Sequence, residues 1–544
     1  MRLEFTDEVL DVVLTVQNDP QYLNRAARIK AMNELCPMSV PWNLQRWRGA
    51  ADKASVRAQS SNISMRNHND TRIVGVHRSI SSERYKMSIK RWFITCAQNN
   101  TTTHEGFLKA IRFWLKENDA TLLVPTIYYK NENLFSAKEP TWYDHELVPH
   151  LVTTDIEVCP GVVLLGGLKT QATAPNPLSA ISGLPRGRAG IVGHSQVRME
   201  SLPVVVGSEP RLLHTTGSVT LPRIREETKT GKLYLHHHQI AGLILESDGD
   251  TWWFRQAVAD HETGAFIDKD KRYSSTGIKP AKPSAGLVLG DVHVWKEDKV
   301  FNTATFGPKG LVQTIKPQVC IVPDVLDFYS ASHHHDKDEF KLYQKFLNGQ
   351  DDVEQEFKDT GEWLQKHSEF FPEGLVVQRS NHDEHPDRWL KTKDRVSPNN
   401  APFFHKLKSM VYDEIKKKHA KKDLDLNVFR LWFQQSQYAT PKVLFLTRNT
   451  PFAIRNIAVE QHGDRGVNGA RGGKASFSRA ASKMITAHTH EPCIIHGWWS
   501  VGSSAEPMEY EQGLTTHMQA HASISDEGHR TLWVGRGSKK RFWA

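Results

Sequence analysis

Five polar clusters punctuate the second half of this chain, each at or just after a short apolar run. Gly286–Leu289 leads into Gly290-Asp291-Val292-His293, and Val319–Val322 leads into Asp324-Val325-Leu326-Asp327. Leu375–Gln378 leads into Ser380-Asn381-His382-Asp383. Ile454–Glu460 leads into His462-Gly463-Asp464, and Met484–Ala487 into His488-Thr489-His490. Short apolar runs bounded by turn residues read as buried strands. Metal-ligand side chains repeatedly placed at strand ends restrict the fold sharply. The strands must lie side by side with their carboxyl ends at one edge, where ligands of layered α/β folds collect.

The intervening sequence supports that layering. Helical stretches at 337–367, 404–419 and 474–483 alternate with the strands, and 493–501 and 522–534 read as antiparallel β. We therefore expect an α/β catalytic domain over 286–544. Residues 91–285 read as an accessory region. Within it, Arg91–Gln98, His104–Asn118 and Thr121–Tyr128 form a strand, helix, strand unit of parallel type, with Thr101–Thr103 available as the helix cap. Ala97-Gln98-Asn99-Asn100 sits at its strand end as a ligand candidate without a phosphate-loop pattern. From 145 to 285 the chain is β-rich, with short runs at Gly161–Gly167, Leu202–Val206, Lys232–Leu235, Ala241–Glu246 and Thr251–Phe254. In a strand, His236-His237-His238 would face alternate sides and not share one ion. Residues 1–90 read as a helical, basic module rich in Arg, Ser and Asn.

The chain has 544 residues, enough for two or three domains, with 39% hydrophobic and 24% charged residues. No apolar run reaches membrane-spanning length and the start lacks a basic leader, so no membrane association is expected. Five dispersed cysteines make neither a disulfide framework nor a paired zinc site, which suits a reducing cytoplasm. A net charge of +9 favours a polyanionic partner. Homo-oligomerisation is left open.

Each cluster has a chemical reading. Asp291 and His293 flank one residue at a turn, so both reach one ion, and Gly290 allows close backbone approach. Asp324 can bridge two cations about 3.5–4 Å apart, with Asp327 on the same turn. Asn381 offers a neutral amide oxygen. The adjacent His382 can stand free of metal and donate a proton to a leaving alkoxide, with Asp383 orienting it. His462 opens a Gly-rich turn whose N–H groups, with Arg465 and Arg471, suit phosphate. His488 and His490 repeat the spacing of Asp291 and His293, each available to a different metal of a pair. His333-His334-His335 lies just beyond Asp327, as a solvated loop or with one ring approaching the site.

Taken in this order, residues 285–540 resemble the calcineurin-like metallophosphoesterases. Their pattern is Gly-Asp-x-His, Gly-Asp-x-x-Asp, Gly-Asn-His-Asp/Glu, a lone His and Gly-His-x-His. Pro323, Ser380 and Ala487 replace three of its glycines without removing a ligand. The resemblance implies a four-layer α/β/β/α sandwich with two divalent metals at one edge. Asp291, His293 and His490 would hold one, and Asn381, His462 and His488 the other. Asp324 would bridge, and His382 would serve the leaving group. Mixed oxygen and imidazole donors suit Mn, Fe or Zn better than Mg or Ca, and the family points to manganese. The chemistry implied is hydrolysis of a phosphate ester by in-line attack.

Fold and metals leave the substrate open. The basic balance, the long N-terminal extension and the arginines near the site favour DNA. The whole chain also resembles pre-early proteins of large siphophages that degrade host DNA, which implies a manganese-dependent DNase in the host cytoplasm. Two alternatives differ in class: a phosphatase or phosphodiesterase on another substrate, and a non-catalytic DNA-binding takeover protein.

Overall fold

The computed structural model describes residues 88–129, 140–393, 396–418, 426–480, 483–509 and 511–544. The module expected over 1–90 lies outside them but for its last three residues. The described residues belong to one compact unit, 86–544. The class is mixed α/β.

A six-stranded sheet carries three of the five clusters at its strand ends. Its order is Val443–Phe445, Leu375–Val377, Val319–Val322, Gly286–Val288, Ala520–Ile524, Arg530–Val534. The first four strands are parallel and the last two antiparallel. Parallel neighbours need crossovers. Here helices supply them, including Lys299–Phe306, Val353–Ser368 and Ala401–Lys418. Strand alternation then sorts the side chains. Leu287, Cys320, Val322, Leu375 and Val377 pack under the helices with Phe301, Phe357 and Trp432. Val288, Val319, Ile321 and Val376 face the other way, toward Ile457, Ile485, Ile494 and Trp499 of a second sheet.

That second sheet has ten strands and crosses the 285/286 boundary. It runs from the hairpin at Ala453–Ala458 through Lys483–Thr486, Trp498–Ser500 and Cys493–Ile495. It continues into Met199–Leu202, Arg211–Thr215, Ala189–Val192, Val162–Leu165 and Asp155–Cys159. The accessory region therefore extends the same sheet and shares its core.

A third sheet contains the expected parallel unit, with Trp92 opposite Thr121. The helix Glu105–Asn118 buries Phe107, Ile111 and Trp114 against Phe93 and Phe266. Inside it, Arg255 donates to Glu246 Oε1 at 2.7 Å and Asp268 Oδ2 at 2.9 Å. The two carboxylates compensate a guanidinium that would otherwise be prohibitively costly to bury.

Several local expectations change. Residues 229–237 are a helix, not a strand, so His236 and His237 end a helix and His238 caps it. Thr228 caps its start by accepting from Gly231 N, and among the described residues no strand pairs with it. The 337–367 stretch is two helices, Glu339–Leu347 and Val353–Ser368. Gly349, at φ +64°, ends the first, and Asp352 starts the second by accepting from Gln355 N. The strand expected over 454–460 is a tight hairpin turning at Arg455 and Asn456, both with positive φ. The helix at 474–483 spans only Lys474–Phe477. His104, rather than Thr101–Thr103, caps its helix through Nδ1 and Phe107 N at 3.2 Å. Asn99 and Asn100 are spent on Tyr129, Pro140 and Trp142 backbone groups, so this strand end is a structural bracket.

Candidate metal centre

The five clusters converge at one edge of the two facing sheets. Asp291, Asp324 and Asn381 follow three adjacent parallel strands of the first sheet. His462 follows the hairpin of the second sheet, and His488 and His490 follow its neighbour Lys483–Thr486. A Cβ on Gly290 would lie 2.6 Å from the Ser503 carbonyl carbon and 2.8 Å from Ala520 O, so the first turn requires glycine. His293, Asp324, His488 and His490 take φ of +44°, +41°, +74° and +52°. Non-glycine residues adopt such angles when surrounding structure imposes them, often at functional sites.

Four triads of donor atoms lie within 4.8 Å among the described residues, and two consist only of expected ligands: Asp291, His293 and His490, and Asp324, His462 and His488. His490 Nε2 lies 3.2 Å from Asp291 Oδ2, and His462 Nε2 lies 3.1 Å from Asp324 Oδ2. The triads adjoin. His293 Nε2 is 3.8 Å from Asp324 Oδ2, and His462 Nδ1 is 3.8 Å from Asp291 Oδ1. Asn381 lines the same cavity, and its Oδ1 is buried without a partner. So are Asp291 Oδ1, Asp324 Oδ1, His293 Nε2 and His462 Nδ1. Buried polar atoms are normally satisfied. A cluster left open on its lone-pair sides, with three oxygen-bearing and four imidazole side chains, fits a pair of divalent cations.

The electrostatics agree. Burial raises the Asp324 carboxyl, but His462, His382 and His293 outweigh it and hold it well below the usual range. Burial opposes protonation of His382, yet Asp324 and Asp327 push it up to about 10 in the metal-free protein. Burial likewise opposes protonation of His490, and Asp291 and Glu511 push it to about 9.

The supporting residues divide differently from expectation. Asp383 does not touch His382. It closes its own turn, accepting from Ser380 N at 3.2 Å, and burial pushes its carboxyl to about 6. Asp327 orients the ring instead: its carbonyl is 2.9 Å and its carboxylate 3.4 Å from His382 Nδ1. The same carboxylate lies 3.2 Å from His293 Nδ1. Asp327 wins because it lies directly across from both rings, whereas Asp383 turns back under its own loop. Arg465 is held by Glu384 at 2.7 and 2.8 Å. Arg471 is exposed, and its backbone bridges that of Arg465.

Other residues carry no motif. Glu511 accepts from His490 Nδ1 at 3.3 Å and lies 2.9 Å from His517 Nδ1. It is an outer carboxylate of the kind that orients ligand imidazoles. The cleft, about 480 Å³, is walled by Lys296, Tyr329, His334, His335, His385 and Glu509. The histidine triplet thus sends His334 and His335 to the cleft, while His333 Nε2 meets Arg388 at 3.0 Å. Glu356, buried behind this loop, accepts from Tyr329 N and Ser330 N at 2.8 and 3.0 Å. No sequence spacing links these residues to the clusters; proximity alone assigns them.

No known family profile matches the chain, and no solved structure matches it. A curated relative does. The chain is similar to a bacteriophage protein. Over 502 residues, 89% of each chain, it is 29% identical to Protein A1 of Escherichia phage T5. The aligned length spans far more than the metal clusters, so the likeness is to the whole chain and not to a motif. Among the described residues no helix is long and apolar enough to cross a membrane.

Proposed function

We propose that this chain is a two-metal phosphodiesterase acting on DNA, a deoxyribonuclease of phage takeover. The observation that carries the proposal is the pair of adjoining donor triads with their buried, unpartnered ligand atoms. Asp291, His293 and His490 would hold one cation, and His462, His488 and Asn381 the other, with Asp324 shared. Two bound cations, proposed as manganese, would supply Lewis-acid stabilisation of charge at phosphorus and a more acidic water. The fold reading that accompanies this is the four-layer metallophosphoesterase sandwich. The helix layer over the six-stranded sheet, and the second sheet beneath it, support that reading.

The chain's own residues have separable tasks. His382 has Nδ1 engaged by the Asp327 carbonyl. Its Nε2 is left for the leaving oxygen, where it would hold the proton to be transferred. Lys296, His334 and His335 line the approach and would receive phosphate oxygens. The DNA substrate is supported by the +9 charge and by the likeness to a phage protein. The host cytoplasm is the compartment that goes with it.

The test is cleavage of plasmid and end-labelled linear DNA by the purified full chain with manganese. Wild type should cut, Asp324→Asn should not, and His382→Ala should bind metal yet lose most turnover. Hydrolysis of a generic aryl phosphate with both DNAs intact would replace DNA by another ester. Cutting by Asp324→Asn at the wild-type rate would end the metal assignment.

A further inference from the structure

A second polar cavity, of about 430 Å³, lies at the start of the strand Lys483–Thr486, whose other end leads to His488. Arg530 lines it and is only 8% exposed. Its Nη1 donates to Met484 O at 3.1 Å and Gly497 O at 2.6 Å, and its guanidinium lies over the Trp499 ring at 4.5 Å. These contacts tie the two sheets together, but they use one nitrogen and one face. Among the described residues no carboxylate pairs with Arg530, and burial alone acts on it, drawing it down to about 9. A buried cation without a counter-charge is costly unless an anion arrives from outside.

The rest of the wall points the same way. Lys483 lines the cavity, and burial together with Arg530 lowers its ammonium. No described Asp or Glu lines the cavity. The acids that act on His529 are Glu527 and Asp260, and Glu527 is already tied to Arg272 at 2.5 Å. His237 and His496 stack at 3.7 Å and 24°, forming a flat wall. Burial, His237 and Arg198 pull His496 down to about 4, so this wall is neutral at pH 7.

We propose that this cavity is a phosphate-monoester site, distinct from the cation cluster. The free edge of Arg530 and Lys483 hold the phosphate oxygens, and the His237–His496 wall accommodates a planar group attached to them. Guanidinium forks match phosphate geometry, and the volume suits a ligand of mononucleotide size. The inference does not depend on what the cation cluster catalyses.

The test uses the full chain in chelator, so that phosphate has no metal to bind, with inorganic phosphate and a deoxynucleoside 5′-monophosphate as calorimetric probes. We expect saturable one-to-one binding. Lys483→Gln should weaken it by about tenfold or more, which is about 1.4 kcal/mol, and Arg530→Lys should weaken it further. A nucleotide that binds more tightly than phosphate, with the gain lost in His237→Ala, identifies the nucleotide as the source. Equal affinities identify free phosphate. No saturable binding of either probe up to about 10 mM would overturn the proposal. So would Lys483→Gln binding as wild type, a variant informative even if Arg530→Lys fails to fold.

Discussion

Asp327→Asn separates the role of Asp327, which faces His382 in space, from that of Asp383, which follows it in the sequence. Asp327 lies 3.2 Å from His293 Nδ1 and 3.4 Å from His382 Nδ1. Asparagine preserves its shape and removes its charge. A charged hydrogen bond contributes about 1.5–3 kcal/mol and a neutral one about 0.5–1.5, so about 1 kcal/mol is lost at each ring. At His293 this lowers ligand basicity, and loss of an outer carboxylate typically weakens metal binding by about 10–100-fold. At His382 the Asp327 carbonyl still holds Nδ1, so the ring stays in place while its proton becomes more labile. The assay is manganese titration by calorimetry, with DNA cleavage at saturating manganese alongside. We expect the Kd for one of two sites to rise by at least about tenfold, with a smaller fall in turnover. Asp383→Asn, whose carboxylate hydrogen-bonds to Ser380 N and to neither ring, should lower manganese affinity less than Asp327→Asn does. Equal manganese affinities in wild type and Asp327→Asn, or an equal loss in Asp383→Asn, would refute the assignment.

Four further outcomes follow from the packing and its charges. Gly290→Ala drives a Cβ to 2.6 Å from backbone that cannot swing aside; overpacking of about 1–3 kcal/mol should lower Tm and displace Asp291, and an unchanged Tm would show that the turn is loose. Manganese affinity should rise with pH toward about 9, because His490 is protonated below that value in the metal-free protein and must release its proton to bind; calorimetry in buffers of different ionisation enthalpy measures the released proton, and a flat response from pH 6.5 to 8.5 counts against it. Burial raises the Asp268 carboxyl, but Arg255 outweighs this and holds it near 2. Its folded value lies below its unfolded value, so its stabilisation, roughly 2 kcal/mol, is complete above the usual carboxylate range and lost as pH falls through about 2. Arg255→Met should cost about 3–5 kcal/mol in urea unfolding by stranding two buried carboxylates, and a loss below about 1 kcal/mol would mean that water reaches them.

The residues of this chain, taken in order, determine the α/β class, the strand ends and the identities of the seven candidate ligands. Those readings rest on short apolar runs bounded by turn residues and on the side chains directly behind them, which are local properties. Where local signals were ambiguous, neighbours in space decided. Lys232–Leu235 is apolar enough for a strand, but Thr228 caps it as a helix, and among the described residues no strand pairs with it. The supporting shell is tertiary throughout. Asp327 rather than Asp383 faces His382, and Glu511 backs His490, because chain segments meet across two sheets and not along one motif. No motif links Arg530 to Lys483 in the sequence, and only the packing of one sheet's edge on the other brings their charges to a shared cavity.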